Sequence, residues 1–271
     1  MNQKLINFFK KQICRIEAIM TQDNRSFNID KYHELRVELK KIKLIINIID
    51  ESGVRFQNKK HVNQLMRMFK QAGKIRELDL LKVHLKSFKA IKKTSALKLK
   101  INNTFKKEKQ IFFKMKSIPI DYKKLKKVVS KKIKKIASIE NYLKSLKRNI
   151  KQDFKNWKKL NLNQRNKKSI SVSKLHEARI HLKYWINYLK IFNQHIPDNQ
   201  FVALEGLALK LGEWHDLIEF KKYLNHWIEN EFDKKDSIDD VLLVILKDQQ
   251  QIEFLEMDIN KKIKEIDWVD D

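Results

Sequence analysis

Two stretches of this chain read almost alike: Tyr32-His33-Glu34-Leu35-Arg36-Val37-Glu38-Leu39-Lys40-Lys41-Ile42-Lys43 and, 143 residues later, Leu175-His176-Glu177-Ala178-Arg179-Ile180-His181-Leu182-Lys183-Tyr184-Trp185-Ile186. Both follow His-Glu-x-Arg-(Val/Ile)-x-Leu-Lys. About forty residues after each His comes a second shared block. It is Gly73-Lys74-Ile75-Arg76-Glu77-Leu78-Asp79 in one half and Gly212-Glu213-Trp214-His215-Asp216-Leu217-Ile218 in the other, at an offset of 139. Two blocks in the same order at nearly equal offsets mark a duplication. It implies two similar helical bundles facing each other across a pseudo-two-fold axis. With Pro119 as the break, residues 1–118 form the first repeat and 119–271 the second.

On a helix each residue turns by about 100°. His33, Arg36, Lys40 and Lys43 then share one stripe. Leu35, Leu39, Ile42, Ile46 and Ile49 form the broad opposite face, and Val37, Leu44 and Ile48 a narrower apolar strip beside the cations. The second copy aligns His176, Arg179, Lys183 and Lys190, with Ala178, Leu182, Trp185 and Leu189 opposite and Ile180 and Ile191 flanking. A cationic stripe with apolar residues on two sides reads as the wall of a cleft, not as a freely solvated face.

Composition supports helices throughout. Gly is 4 and Pro is 2, too few for the turns of a sheet protein, so the fold class is all-α. Helices are expected from Asn2 to Thr21, from an N-cap at Asp30 to Ser52, from Asn58 through Leu85, from Lys89 to Lys116, from Tyr122 to Leu160, from Ser173 to Asn193, from Asn199 to Asn230, and from Asp236 to Ile266. Gly73 and Gly212 fall inside helical patterns, where Gly is about 1 kcal/mol worse than Ala. They are expected to let helix backbones approach closely.

The chain carries 60 Lys and Arg against 33 Asp and Glu, a formal charge of +27. Part of the Lys excess is compositional drift, but the balance fits a polymer of phosphates as partner. Charge is uneven. Residues 89–168 hold 28 Lys and Arg against 4 acids, and residues 229–271 hold 6 Lys against 14 acids. Cys14 is alone, so no internal disulfide forms, and no Cys/His cluster has zinc spacing. That suits a reducing cytoplasm. The N-terminal apolar run is too short for a signal peptide, and no stretch reaches the ~18 apolar residues of a membrane span. No cofactor and no metal are expected.

These blocks resemble the CHAD family, the conserved histidine α-helical domain. His33, Arg36, Lys40, Lys41 and Lys43 match its His-x-x-Arg-(Val/Ile)-x-x-basic-basic-x-basic segment in full. In the second copy His176, Arg179 and Lys183 match, while Tyr184 and Ile186 stand in place of basic residues. Gly73, Arg76, Glu77 and Asp79, and then Gly212 and Asp216, follow the later block, with His215 where Arg is usual. The resemblance covers nearly the whole chain. It implies two four-helix bundles with pseudo-two-fold symmetry around a central basic cleft or pore. It also implies inorganic polyphosphate as ligand and a place on polyphosphate granules. The ligand set is then His33, Arg36, Lys40, Lys41, Lys43, His176, Arg179, Lys183 and Lys190, with the second wall the weaker. The Glu-x-Glu-x-Lys motif of the CYTH triphosphatases that often accompany CHAD domains is absent.

Two rivals stand beside this reading. Nucleic acid as partner draws on the net charge, but no nucleic-acid motif appears. A metal-dependent phosphohydrolase would need carboxylates converging with His, and Glu34 and Glu177, adjacent to His33 and His176, point about 100° away on a helix. Binding without catalysis is the expectation.

Overall fold

A computed structural model describes residues 1–54, 60–87, 95–162, 172–192, 198–231 and 238–265. Among them every regular element is helical: α1 (Asn2–Met20), α2 (Ile29–Glu51), α3 (Lys60–Ser87), α4 (Ser95–Lys116), α5 (Tyr122–Lys134), α6 (Ile139–Leu162), α7 (Val172–Phe192), α8 (Asp198–Glu231) and α9 (Ile238–Glu265), with a short 3₁₀ turn at Asn24–Ser26. The all-α expectation holds. No described helix is long and apolar enough to cross a membrane. The expected helix starts at Asn58, Lys89 and Asp236 and the ends at Asn193 and Ile266 lie outside the described residues.

The chain forms two compact units, residues 1–142 and 143–271, divided within α6. In the first, α1 packs on α2 and α5, α2 on α3, and α3 on α4. Helix α2 is at the heart of this unit. Asn28 caps it, its side chain accepting from the Lys31 N–H at 3.0 Å. Asp30, the cap expected from sequence, sits instead in the first turn. The helix stops at Ser52, whose hydroxyl donates to the Ile49 carbonyl, and Gly53 takes the left-handed φ of 75° that turns the chain away. Both apolar strips are used: Leu35, Leu39, Ile42, Ile46 and Ile49 are buried, and so are Leu44 and Ile48. A run rich in β-branched Ile is a weak helix former. Burial on two sides is what holds it helical.

A second tie secures the start of α2. Phe27, Tyr32 and Phe112 meet with ring centroids 4.9–5.3 Å apart, edge and tilt contacts that add to their area burial. Lys116, at the end of α4, lies over Phe27 and donates to Asn24 Oδ1 at 2.7 Å. The basic stretch from Tyr122 onward is two helices, where one was expected. Lys135 ends α5, and Ser138 caps α6 by accepting from the Asn141 N–H at 3.3 Å. Leu125, Val129 and Ile133 bury one face of α5, and Lys126 reaches Glu17 of α1 at 3.1 Å. Lys123, Lys127, Lys131 and Lys134 of the same helix are exposed.

In the second unit α7 packs on α8 and α8 on α9. Leu175, Ala178, Leu182, Ile186, Tyr188 and Leu189 of α7 are buried. Trp214 is buried in α8 and its indole N–H donates to Glu256 of α9 at 3.0 Å.

Candidate anion-binding site

In the first unit the cationic stripe of α2 faces the middle of α3. Arg36 lies flat across that helix: Nη1 donates to the Phe69 carbonyl at 3.3 Å and the guanidinium stands 5.0 Å from the Phe69 ring centre. The space it occupies is the space Gly73 leaves, because a Cβ built there would overlap Arg36 Nη1. Gly73 therefore makes room for a cation, and not, as its place in the helix suggested, for a second backbone. Lys43 reaches the same ring at 5.7 Å, so Phe69 carries two cations on its π-face.

One turn away, His33 lies in the field of Arg76, Lys40 and Arg36. Burial and these three cations, in the order Arg76, Lys40, Arg36, push its pKa down, with Asp30 opposing. The shift favours the neutral ring, which donates from one nitrogen only. Arg76 is itself held by Asp79 at 2.7 Å. Lys41 stands apart from this group. Its ammonium is 2.8 Å from Glu38 and 3.5 Å from Gln12 of α1, and Arg15 approaches the same carboxylate at 3.5 Å. Glu38 is buried, so Lys41 serves the α1–α2 interface, about 80–160° of helix rotation from the stripe residues.

In the second unit His176 of α7 meets His215 of α8, Nδ1 to Nδ1 at 3.3 Å with ring centres 4.6 Å apart. Burial, followed by Arg179, His176, Lys183 and Lys222, pushes His215 down to about 3. Burial and then Arg179 lower His176 as well. The pair is thus neutral at pH 7, one ring donating to the other. At Gly212 a Cβ would find only Lys183 Nζ within 4 Å, at 3.8 Å. This glycine cradles no guanidinium and separates no backbones. Lys190 lies in the same row, but Glu205 of α8 takes its ammonium at 2.6 Å, and Phe201 lies beneath it.

Of the nine residues expected, His33, Arg36, Lys40 and Lys43 gather in the first unit and His176, Arg179 and Lys183 in the second. Lys41 and Lys190 are committed to carboxylates. Arg76 and His215 join the two groups from the second block. Their matching places in the repeat were the signal for them. Phe69 and Lys222 gave no such signal. Glu34, beside His33, is bound by Lys31 at 2.8 Å. Among the described residues, His, Cys, Asp and Glu form no group of three or more able to hold a metal ion.

Neither the protein-family models nor the curated proteins give a match to this sequence. Among solved structures the chain is similar to the crystal structure of the CHAD domain from the plant Ricinus communis, with a TM-score of 0.69 at 13% identity, over 97% of this chain and 91% of that one.

Proposed function

We propose, with the CHAD-like fold as premise, that this chain binds inorganic polyphosphate without turning it over. The cationic row of α2 with Arg76 makes the principal grip, and His176, Arg179 and Lys183 with His215 and Lys222 a second, weaker one. The observation that carries the reading is Arg36 laid over Gly73, with His33, Lys40, Lys43 and Arg76 gathered around it. One cation per turn matches a ligand whose charge repeats along a line and which has no bases to be read. Arg36 grips two oxygens at once, and the Lys residues act as point charges. Phe69, the ring beside the row, is covered by the protein's own Arg36 and Lys43 and offers no platform for stacking bases. Binding to the polymer would carry the protein to polyphosphate granules in the cytoplasm.

The test is a titration of long-chain polyphosphate, duplex DNA and single-stranded RNA side by side over a range of salt. Polyphosphate should bind tightest, with log affinity falling linearly in log salt at a slope of several. Affinity that stays flat from low to physiological salt, or a preference for either nucleic acid, sinks the reading. Release of orthophosphate from the polymer in the presence of divalent metal would show an enzyme instead of a binder.

A further inference from the structure

Helix α9 is apolar on two sides, and the fold of the second unit uses one of them. Ile252, Leu255, Ile259 and Ile263 are buried. Phe254 and Met257 stand on the opposite side, 67% and 69% exposed, the two most exposed large apolar side chains among the described residues. Ties on both flanks fix the rotation that turns them outward. On one flank Glu256 accepts from the Trp214 indole at 3.0 Å and Gln249 from Lys221 at 2.5 Å. On the other, Asp258 lies 3.7 Å from Lys210. Gln250 and Lys261, both exposed, extend the outward row by one turn in each direction. Positions 250, 254, 257 and 261 fall within about 60° of one another, the spacing of a seam between two helices.

We infer that Phe254 and Met257 are the centre of a contact with a second copy of this chain, α9 lying antiparallel to α9 across a two-fold axis. Two properties select that occupant. The first is self-complementarity. A two-fold contact pairs residue i with j and j with i. Turned antiparallel about the midpoint of 254 and 257, the row sets each Phe254 ring against the Met257 thioether of the other copy, a sulfur–aromatic contact made twice. Each Lys261 meets Gln250 of the other copy and comes within reach of its Glu253. That carboxylate is exposed, and on its own helix it accepts from the Gln249 amide at 2.9 Å. The second property is charge. Two copies at +27 each repel over most approaches. Residues 229–271, with 14 acids against 6 Lys, are where they can touch with least repulsion. A contact of about two turns per helix is small, so the dimer is reversible, with a dissociation constant on the order of tens of micromolar. The inference is independent of the ligand.

The experiment is sedimentation velocity of the full chain, free of polyphosphate, from about 1 to about 200 μM. The parent should pass from monomer to dimer over that range. Raising salt from about 0.05 to about 0.3 M should tighten the association by screening the repulsion, the reverse of polyphosphate binding. Phe254→Gln and Met257→Gln should each weaken it about tenfold or more. Val83→Gln with Leu99→Gln, exposed apolar residues of the first unit, should change it less than about twofold. Glu253→Lys and Lys261→Glu should each weaken it, and the two together should restore it to within about threefold. Unspecific stickiness gives no such rescue. A parent that stays monomeric at about 200 μM overturns the inference. So does an equal loss in the Val83 and Leu99 variant, or a charge-swapped pair that fails to recover. A monomer that instead captures a basic amphipathic peptide on Phe254 overturns the second copy as occupant. Each of these outcomes leaves the polyphosphate reading untouched. Thermal melts check that the variants fold, and the charge swap decides the matter with Phe254 and Met257 in place.

Discussion

Arg36 and Gly73 act as one device. Replacing Gly73 by Ala adds a methyl where the guanidinium lies, and the flexible end of Arg36 must move. The helix gains up to ~1 kcal/mol in propensity, so the melting temperature should hold or rise while polyphosphate affinity falls. Gly212→Ala meets only an ordinary contact with Lys183. It should gain ~0.5–1 kcal/mol at no loss of affinity. Paired melts and titrations of the two variants decide it, and a fall in affinity at Gly212 equal to that at Gly73 would refute the distinction. The histidines give a second prediction. Burial and neighbouring cations hold His33 and His176 below their ordinary value, and a bound polyanion raises both. Binding therefore takes up protons, affinity should climb as pH falls from about 7.5 to about 6, and His33→Gln should flatten the climb. Stability runs the other way. His215 titrates near 6.5 when unfolded and at about 3 when folded. Its contribution is complete above about pH 6.5 and is lost as pH falls toward the folded value. Melting temperature should drop through that window, less so in His215→Gln. Sequence spacing placed the stripe residues on one side of a helix. It could not show that Lys190 meets Glu205 of another helix, nor that Glu38, three residues before Lys41 on the same helix, is buried beside Gln12 and Arg15 of α1.

Helix α2 is where fold and site share a backbone. Its two long sides are buried, its Asn28 cap fixes where it begins, and its remaining row presents the cations. Lys41 separates these roles experimentally. Lys41→Ala should cost about 1–3 kcal/mol, because buried Glu38 loses its nearer partner and keeps only Arg15. Affinity for polyphosphate should stay within about twofold. Denaturant melts and binding on the same preparation test both halves, and an intact melt with a large affinity loss would return Lys41 to the ligand set. Asn28→Ala should cost about 1 kcal/mol through the lost cap. At this scale the sequence was legible wherever period and breaker agreed, as at Ser52-Gly53 and Pro119-Ile120-Asp121. It was not legible at residues 135–138, where α5 ends with no Gly or Pro. There Ile133, Ile136 and Ile139 are all buried, so the apolar pattern runs on across a break that only Ser138 marks.

For the molecule as a whole, the repeated motif carried most of what could be read in advance: two ordered blocks at nearly equal spacing lead to helices as the regular elements of the described residues and to a CHAD-like likeness at only 13% identity. A charge of +27 reads the same whether lysines are gathered or scattered, and position should outweigh number. Replacing Arg36, Lys40 and Lys43 together by Gln should lower polyphosphate affinity far more, and its salt slope by about 2 to 3, than replacing Lys123, Lys127 and Lys131 of α5. Equal losses would mean the polymer meets only a diffuse cloud of charge. The cradle at Gly73 also bears on how the two halves can change over generations. In the first half the two substitutions interact: a side chain at position 73 costs affinity while Arg36 is present and nothing further once Arg36 is gone. In the second half, where Gly212 holds no guanidinium, the corresponding steps commute. A pairwise mutational scan of affinity should find epistasis between positions 36 and 73 and none between 179 and 212. The two halves thus differ in their freedom to drift.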